Sequence, residues 1–114
     1  MKHTLALTLL LALTSAPALA HSEKESMTPA NGAVLDSVPE TIELRFDDKM
    51  RLTKVGMTHA ETHTEPLDLG AQSSFAQDFS LPLTSMGPGV YQIEWRGLGI
   101  DGHAMNGAFS FEVK

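Results

Sequence analysis

The sequence predicts an all-β protein of one domain, an antiparallel sandwich or small barrel, and three observations carry that expectation. Apolar residues recur with period two in four stretches, as they do in half-buried strands. Gly, Pro and Asn turn signals separate those stretches at intervals of about 8–12 residues. No run of twelve residues holds a helical period without Gly or Pro interrupting it.

The elements follow in order. Pro29-Ala30-Asn31-Gly32 closes a first short segment, and Val38-Pro39 leads into a strand in which Ile42, Leu44 and Phe46 alternate with Glu43 and Arg45. Phe75, Phe79 and Leu81 share one parity against Ala76, Asp78 and Ser80. Tyr91, Ile93 and Trp95 alternate with Gln92, Glu94 and Arg96, and Phe109, Phe111 and Val113 with Ser110 and Glu112. Leu69-Gly70, Met86-Gly87-Pro88-Gly89 and Asp101-Gly102 punctuate the remainder. All seven aromatic residues fall on these stripes, so they are expected in the core, with no aromatic platform left for sugars or bases. Six or seven strands are expected, with no linker or repeat.

Composition narrows the function. Eight basic against fourteen acidic residues give a formal charge of −6, and no basic patch is visible, which argues against nucleic-acid binding. With no cysteine, disulfides, thiolate zinc sites and thiol catalysis are excluded. No Ser lies in a G-x-S-x-G elbow, so a serine hydrolase has no support.

The first twenty residues read as an address. Met1-Lys2-His3 is a short basic start, Leu5–Leu13 is uncharged and apolar, and Thr14–Ala20 ends in Ala18-Leu19-Ala20. That is the n-region, h-region and small-residue cleavage site of a secretory signal. The apolar run is about half the roughly 20 residues a membrane-spanning helix needs. Residues 1–20 are therefore expected to be cleaved, leaving a domain of residues 21–114 in the periplasm. Removal of Lys2 takes the charge to −7, and the new first residue is His21. His3 also has the spacing of an N-terminal metal chelate, but it exists only before processing.

Without cysteine, the metal ligands available are His, Asp, Glu and Met. Asp101-Gly102-His103 enters the final stripe, and if extended its first and third residues share a face; Asp-Gly is equally a common turn. An N-terminal His21 offers both its amine and its imidazole Nδ1 to one ion. With the His103 imidazole that makes three nitrogens, and the Asp101 carboxylate completes the set. Nitrogen-rich tetragonal coordination suits Cu(II). The amine must lose its proton, so affinity should fall in acid. The first strand would have to lie beside the last for this set to meet.

Tyr91–Arg96, Asp101-Gly102-His103 and Gly107–Val113 resemble the closing part of CopC-type periplasmic copper proteins. So do His21, the Thr28–Gly32 turn, and Pro39 leading to Leu44-Arg45-Phe46-Asp47-Asp48. The resemblance spans residues 21–114. It implies a cupredoxin-like or immunoglobulin-like Greek-key β-sandwich that binds one Cu(II) per chain through His21, Asp101 and His103. Asp48, with Asp47 beside it, matches an acidic residue near the copper in that family. The resemblance also implies a monomeric carrier or buffer in copper resistance or homeostasis rather than an enzyme. Its partner would be a CopD-type inner-membrane protein or a periplasmic copper oxidase.

Some members of the family carry a second, Met-rich Cu(I) site. The corresponding region holds Met57, His59 and His63, one methionine rather than a cluster, and a Cu(I) site there is left open. His59 and His63 read as solvated loop histidines, and Met27, Met50, Met86 and Met105 as packing. Two readings of other classes compete: a copper-dependent oxidative enzyme using a histidine brace, and a metal-free structural or adhesion sandwich.

Overall fold

A computed structural model describes residues 25–114 except Thr62, Ala71 and Ser73, and excludes the side chain of His63. The described residues form seven strands and no helix: β1 (Glu25–Thr28), β2 (Ala33–Leu35), β3 (Thr41–His59), β4 (His63–Pro66), β5 (Ala76–Pro82), β6 (Gly89–Gly99) and β7 (Ala104–Val113). The strands are those the alternation marks, with one difference of scale. The stripe ending at Phe46 continues through Asp47-Asp48-Lys49 as a single strand of 19 residues.

That long strand organises the molecule. Residues 41–46 pair antiparallel with β1 on one side and β5 on the other, while residues 50–59 pair with β6 and, toward the end, with β4. Met50 is where it leaves β5 and joins β6, being paired to Ala76 and Gly99 at once. The half around β6 is extended by β7 and then by β2. The sheet thereby curls into two facing halves, and one hydrophobic cluster fills the space between them. Ile42, Leu44 and Phe46 of β3 and Phe79 and Leu81 of β5 join Tyr91, Ile93 and Trp95 of β6 and Phe109 and Phe111 of β7 there. Phe46 bridges the halves, edge-on to Phe79 at 6.0 Å and to Trp95 at 5.0 Å between ring centres, a geometry that suits the ring quadrupoles. This is the expected sandwich.

A one-residue bulge keeps β3 in phase with that core. Leu52 is paired to Gly97 and Lys54 to Arg96, so Thr53 is extra on β3. The buried positions run Met50, Leu52, then Val55 and Met57, an odd step where the bulge sits. Without it the period-two alternation would turn the second half of the strand inside out.

Two expectations are corrected. The sheet is not wholly antiparallel, because β2 runs parallel to β7. The first segment pairs with one half as β1, turns at Pro29–Gly32 and pairs with the other half as β2. Asn31 Oδ1 accepts from Ser110 N at 3.0 Å, and Gly32 N, at φ +83°, donates to Ser110 O at 2.7 Å. Secondly, Phe75 lies before β5 and is 44% exposed, whereas the other six aromatic residues are buried. The β3–β5 ladder ends at the pairing of Met50 with Ala76, where β3 turns to β6, so Phe75 lies beyond the last paired residue.

Candidate metal centre

β6 and β7 are joined by a tight hairpin at Ile100–His103. Gly99 N donates to His103 O and Gly102 N to Gly99 O, both at 2.9 Å. Gly102 takes φ +86°, where a side chain would be strained. Asp101 and His103 therefore meet across a turn, not along an extended strand. The Asp101 carboxylate turns back on the following residues, accepting from the His103 backbone N–H through Oδ1 at 3.1 Å and from the ring Nδ1 through Oδ2 at 2.8 Å.

Each partner shifts the other. The hydrogen bond from the His103 ring, followed by that from its backbone N–H, holds the Asp101 carboxyl below its ordinary range. The hydrogen bond to Asp101, then its negative charge, raises the His103 imidazole. An ionised carboxylate can only accept, so Nδ1 is the donor and Nε2 of the neutral ring keeps its lone pair for a ligand. Both side chains are open to solvent, His103 at 84% and Asp101 at 63%.

Gly99 makes room for this fold-back. A Cβ at that position would lie 2.9 Å from Asp101 Oδ1 and 3.3 Å from Met105 Sδ. The hairpin borders a cavity of about 300 Å³ lined by Glu25, Asp47, Asp48 and Asp101, with Phe46, Lys49, Met50, Gly99, Ile100 and Met105. Partial burial raises the Glu25 carboxyl. The expectation that the first strand lies beside the last is corrected here: β1 pairs with β3. It is the start of β1 at Glu25, through this cavity, that shares the hairpin's end of the molecule. Asp48 and its neighbour Asp47, the two acidic residues singled out in the sequence, both line it.

His21 lies outside the described residues, as do residues 1–20 and the cleavage site between them. Among the described residues no group of three His, Asp or Glu side chains converges as a metal would need. Asp101 and His103 are a pair, and a third protein donor would have to come from elsewhere in the chain.

The opposite end departs from the loop-histidine reading. Met57 has no exposed surface and belongs to the core. His59 ends β3, its ring packed edge-on to Tyr91 at 4.8 Å and its Nε2 2.8 Å from Pro88 O. The Tyr91 hydroxyl donates to Gly87 O at 2.6 Å and accepts from Met86 N at 2.9 Å. These contacts pin the loop of residues 83–88. Met57 cannot reach a surface ion, and His59 already spends one ring nitrogen on a carbonyl. The signal for this lay in the period-two parity that Met57 and His59 share with Val55.

Comparison with known proteins gives the family and the fold. The family model described as the CopC domain matches residues 24–114. The chain is 30% identical over 109 residues to copper resistance protein C of Escherichia coli, covering 85% of this chain and 84% of that one. It is also 30% identical over 112 residues to copper resistance protein C of Pseudomonas syringae pv. tomato, covering 90% and 87%. Among solved structures, CopC from Methylosinus trichosporium OB3b superposes with a TM-score of 0.63 at 19% identity, over 78% of this chain and 89% of that one, a likeness of fold. PcoC, a methionine-rich copper resistance protein from Escherichia coli, superposes with a TM-score of 0.54 at 27% identity, over 78% and 94%.

Proposed function

This chain belongs to the CopC family, and from that premise we propose that it is an exported, monomeric carrier or buffer of Cu(II), with His21, Asp101 and His103 as the ligands of one ion. The observation that carries the reading is the Asp101–His103 contact on an exposed hairpin that borders the same cavity as Glu25. Glu25 is four residues from His21, and an extended chain covers about 3.3 Å per residue, which gives a processed N-terminus the length to span the cavity toward the hairpin.

Each group then has a role. The amine and Nδ1 of His21 chelate the ion, Nε2 of His103 supplies a third nitrogen, and Asp101 keeps the His103 ring in the tautomer that leaves Nε2 free. To ligate the ion itself, the Asp101 carboxylate swings away from Nδ1, because a group bonded to Nδ1 stands across the ring from Nε2. Asp47 and Asp48 supply negative charge nearby. The named relatives are copper resistance proteins, which supports holding and handing over the ion. Release is by ligand exchange to a CopD-type membrane protein or a periplasmic copper oxidase, and export by cleavage after Ala20 places the carrier in the periplasm with them.

The test is a Cu(II) titration of the protein beginning at His21 against one with a single extra residue before it. The chelate needs the free amine of His21, so the extended form is expected to bind more weakly by about tenfold or more. Equal affinities would remove His21 from the site.

A further inference from the structure

β7 keeps an open edge beside the hairpin. One side of it is paired to β6 along its whole length, from Ala104 with Leu98 to Val113 with Gly89. On the other side β2 covers only Phe111–Val113, and Asn31 and Gly32 extend that cover to both backbone groups of Ser110. An antiparallel ladder alternates every second residue, so the N–H and C=O of Ala108, Asn106 and Ala104 point the same way as those of Ser110. Among the described residues no strand or loop pairs with them.

The other edges of the sheet are plugged or short. Gln72 closes the free side of β5, its side-chain amide accepting from Ser80 N at 3.1 Å and donating to Ser80 O at 2.8 Å. β1 and β4 have four residues each and β2 has three. An edge kept from joining other strands commonly carries a bulge, a proline or a charge. Residues 104–108 carry none of these: their register to β6 is unbroken, and they read Ala-Met-Asn-Gly-Ala.

The outer face next to this edge is cationic. Lys54, Arg96 and Asn106 form one row across β3, β6 and β7, and with Thr64, Glu94 and Ala108 they line a cavity of about 490 Å³. Like charges set opposite one another on a sheet repel. The ion pairs among the described residues lie elsewhere, at Arg45–Asp78 and Asp101–His103, so this repulsion is not relieved within the row. A strand added to β7 would lie two strand spacings, about 10 Å, from β6, within the combined reach of an arginine and a glutamate side chain.

We propose that this open edge takes one extended, carboxylate-bearing segment of a partner protein as an added strand. Main-chain hydrogen bonds to Ala104, Asn106 and Ala108 give the pairing, and a carboxylate beside Asn106 gives the selection, because Arg96 and Lys54 share its row. A carboxylate beside Ala108 would instead meet Glu94, which lies in that row. The segment therefore bears one acidic residue at this place rather than a run of them. The edge begins one residue past His103, so the docked segment lies alongside the hairpin. The surface uses no atom of the Asp101–His103 pair and does not depend on copper binding there.

The probe is an acetylated, amidated heptapeptide of alternating valine and threonine with one central glutamate, added to the 15N-labelled protein beginning at His21. The amide signals of Ala104, Asn106 and Ala108 are expected to shift saturably and to exchange more slowly with solvent, while those of β1 and β5 stay. N-methylation of every second peptide residue is expected to abolish binding in one parity and spare it in the other, the mark of a strand paired on one side. Arg96→Gln, or lysine in place of the peptide's glutamate, is expected to weaken binding about two- to fivefold, the scale of an exposed ion pair. Binding indifferent to N-methyl parity, or equal affinities for the acidic and basic peptides, would overturn the proposal. So would edge amides already protected in the peptide-free protein: with a doubled mass in sedimentation the edge belongs to a second copy, and with a single mass to residues 21–24.

Discussion

The two ends of the sandwich each hold a histidine with one ring nitrogen in a 2.8 Å hydrogen bond, and the partner decides what the ring can do. At one end His59 Nε2 meets a backbone carbonyl, the ring is half-buried against Tyr91, and a Cβ at Gly89 would lie 2.8 Å from the same nitrogen. That ring is a wedge between β3 and the 83–88 loop. At the other end His103 meets a carboxylate in open solvent on an exposed turn. A carbonyl gives orientation, while a carboxylate adds charge and basicity, and exposure leaves the second nitrogen free. A histidine that serves packing and one that suits a metal are thus told apart by partner and burial, not by position on a strand.

Substitutions at the two ends should separate accordingly. The largest effect is expected at His103: His103→Ala should lower Cu(II) affinity by about a hundredfold or more, as loss of a ligand. The melting temperature of the metal-free protein should hardly move. If affinity survives, the hairpin is not the site. Next, Tyr91→Phe leaves a part-buried carbonyl and an amide of the loop without their partner, which should cost about 1 kcal/mol in denaturant unfolding. Its Cu(II) affinity should match the wild type, and a parallel loss of copper would mean that the ends are coupled.

The smallest effect concerns Asp101→Asn in the metal-free protein. The Asp101 carboxyl lies below its ordinary 3.8, so its contribution is present above that value and lost as pH falls through the lowered one. The His103 imidazole lies above its ordinary 6.5, so its contribution is present below that value and lost as pH rises through the raised one. The melting-temperature difference between wild type and Asp101→Asn should therefore peak at about pH 5 and fade on both sides. The pair is exposed, so the peak should be small. A difference that does not vary with pH would break the assignment of the contact.

Much of this architecture is legible in the chain because burial writes a period of two. The stripes at Ile42–Phe46, Tyr91–Trp95 and Phe109–Val113 lie inside β3, β6 and β7. Three things were hidden. Asp47-Asp48-Lys49 resembles a solvated turn, because charge masks a strand passing from one half of the sheet to the other. Phe75 keeps the parity of Phe79, but alternation does not tell where the partner strand departs. Asp101-Gly102-His103 was visible as a chemical pair, yet spacing alone did not decide between a shared strand face and a turn.

The bulge at Thr53 has an evolutionary corollary. Upstream of it the inward residues of β3 fall on even positions, as Ile42 through Leu52, and downstream on odd ones, as Val55 and Met57. Loss of one codon between Leu52 and Val55 would erase the phase change and remove the kink, whereas loss of a codon on either side would leave the kink and invert one flank. Length variants of this strand are therefore filtered by parity: a single residue can be lost at the bulge, whereas elsewhere in the strand residues should be gained or lost in pairs. Loops such as residues 83–88 face no such arithmetic, so relatives should differ in length there first.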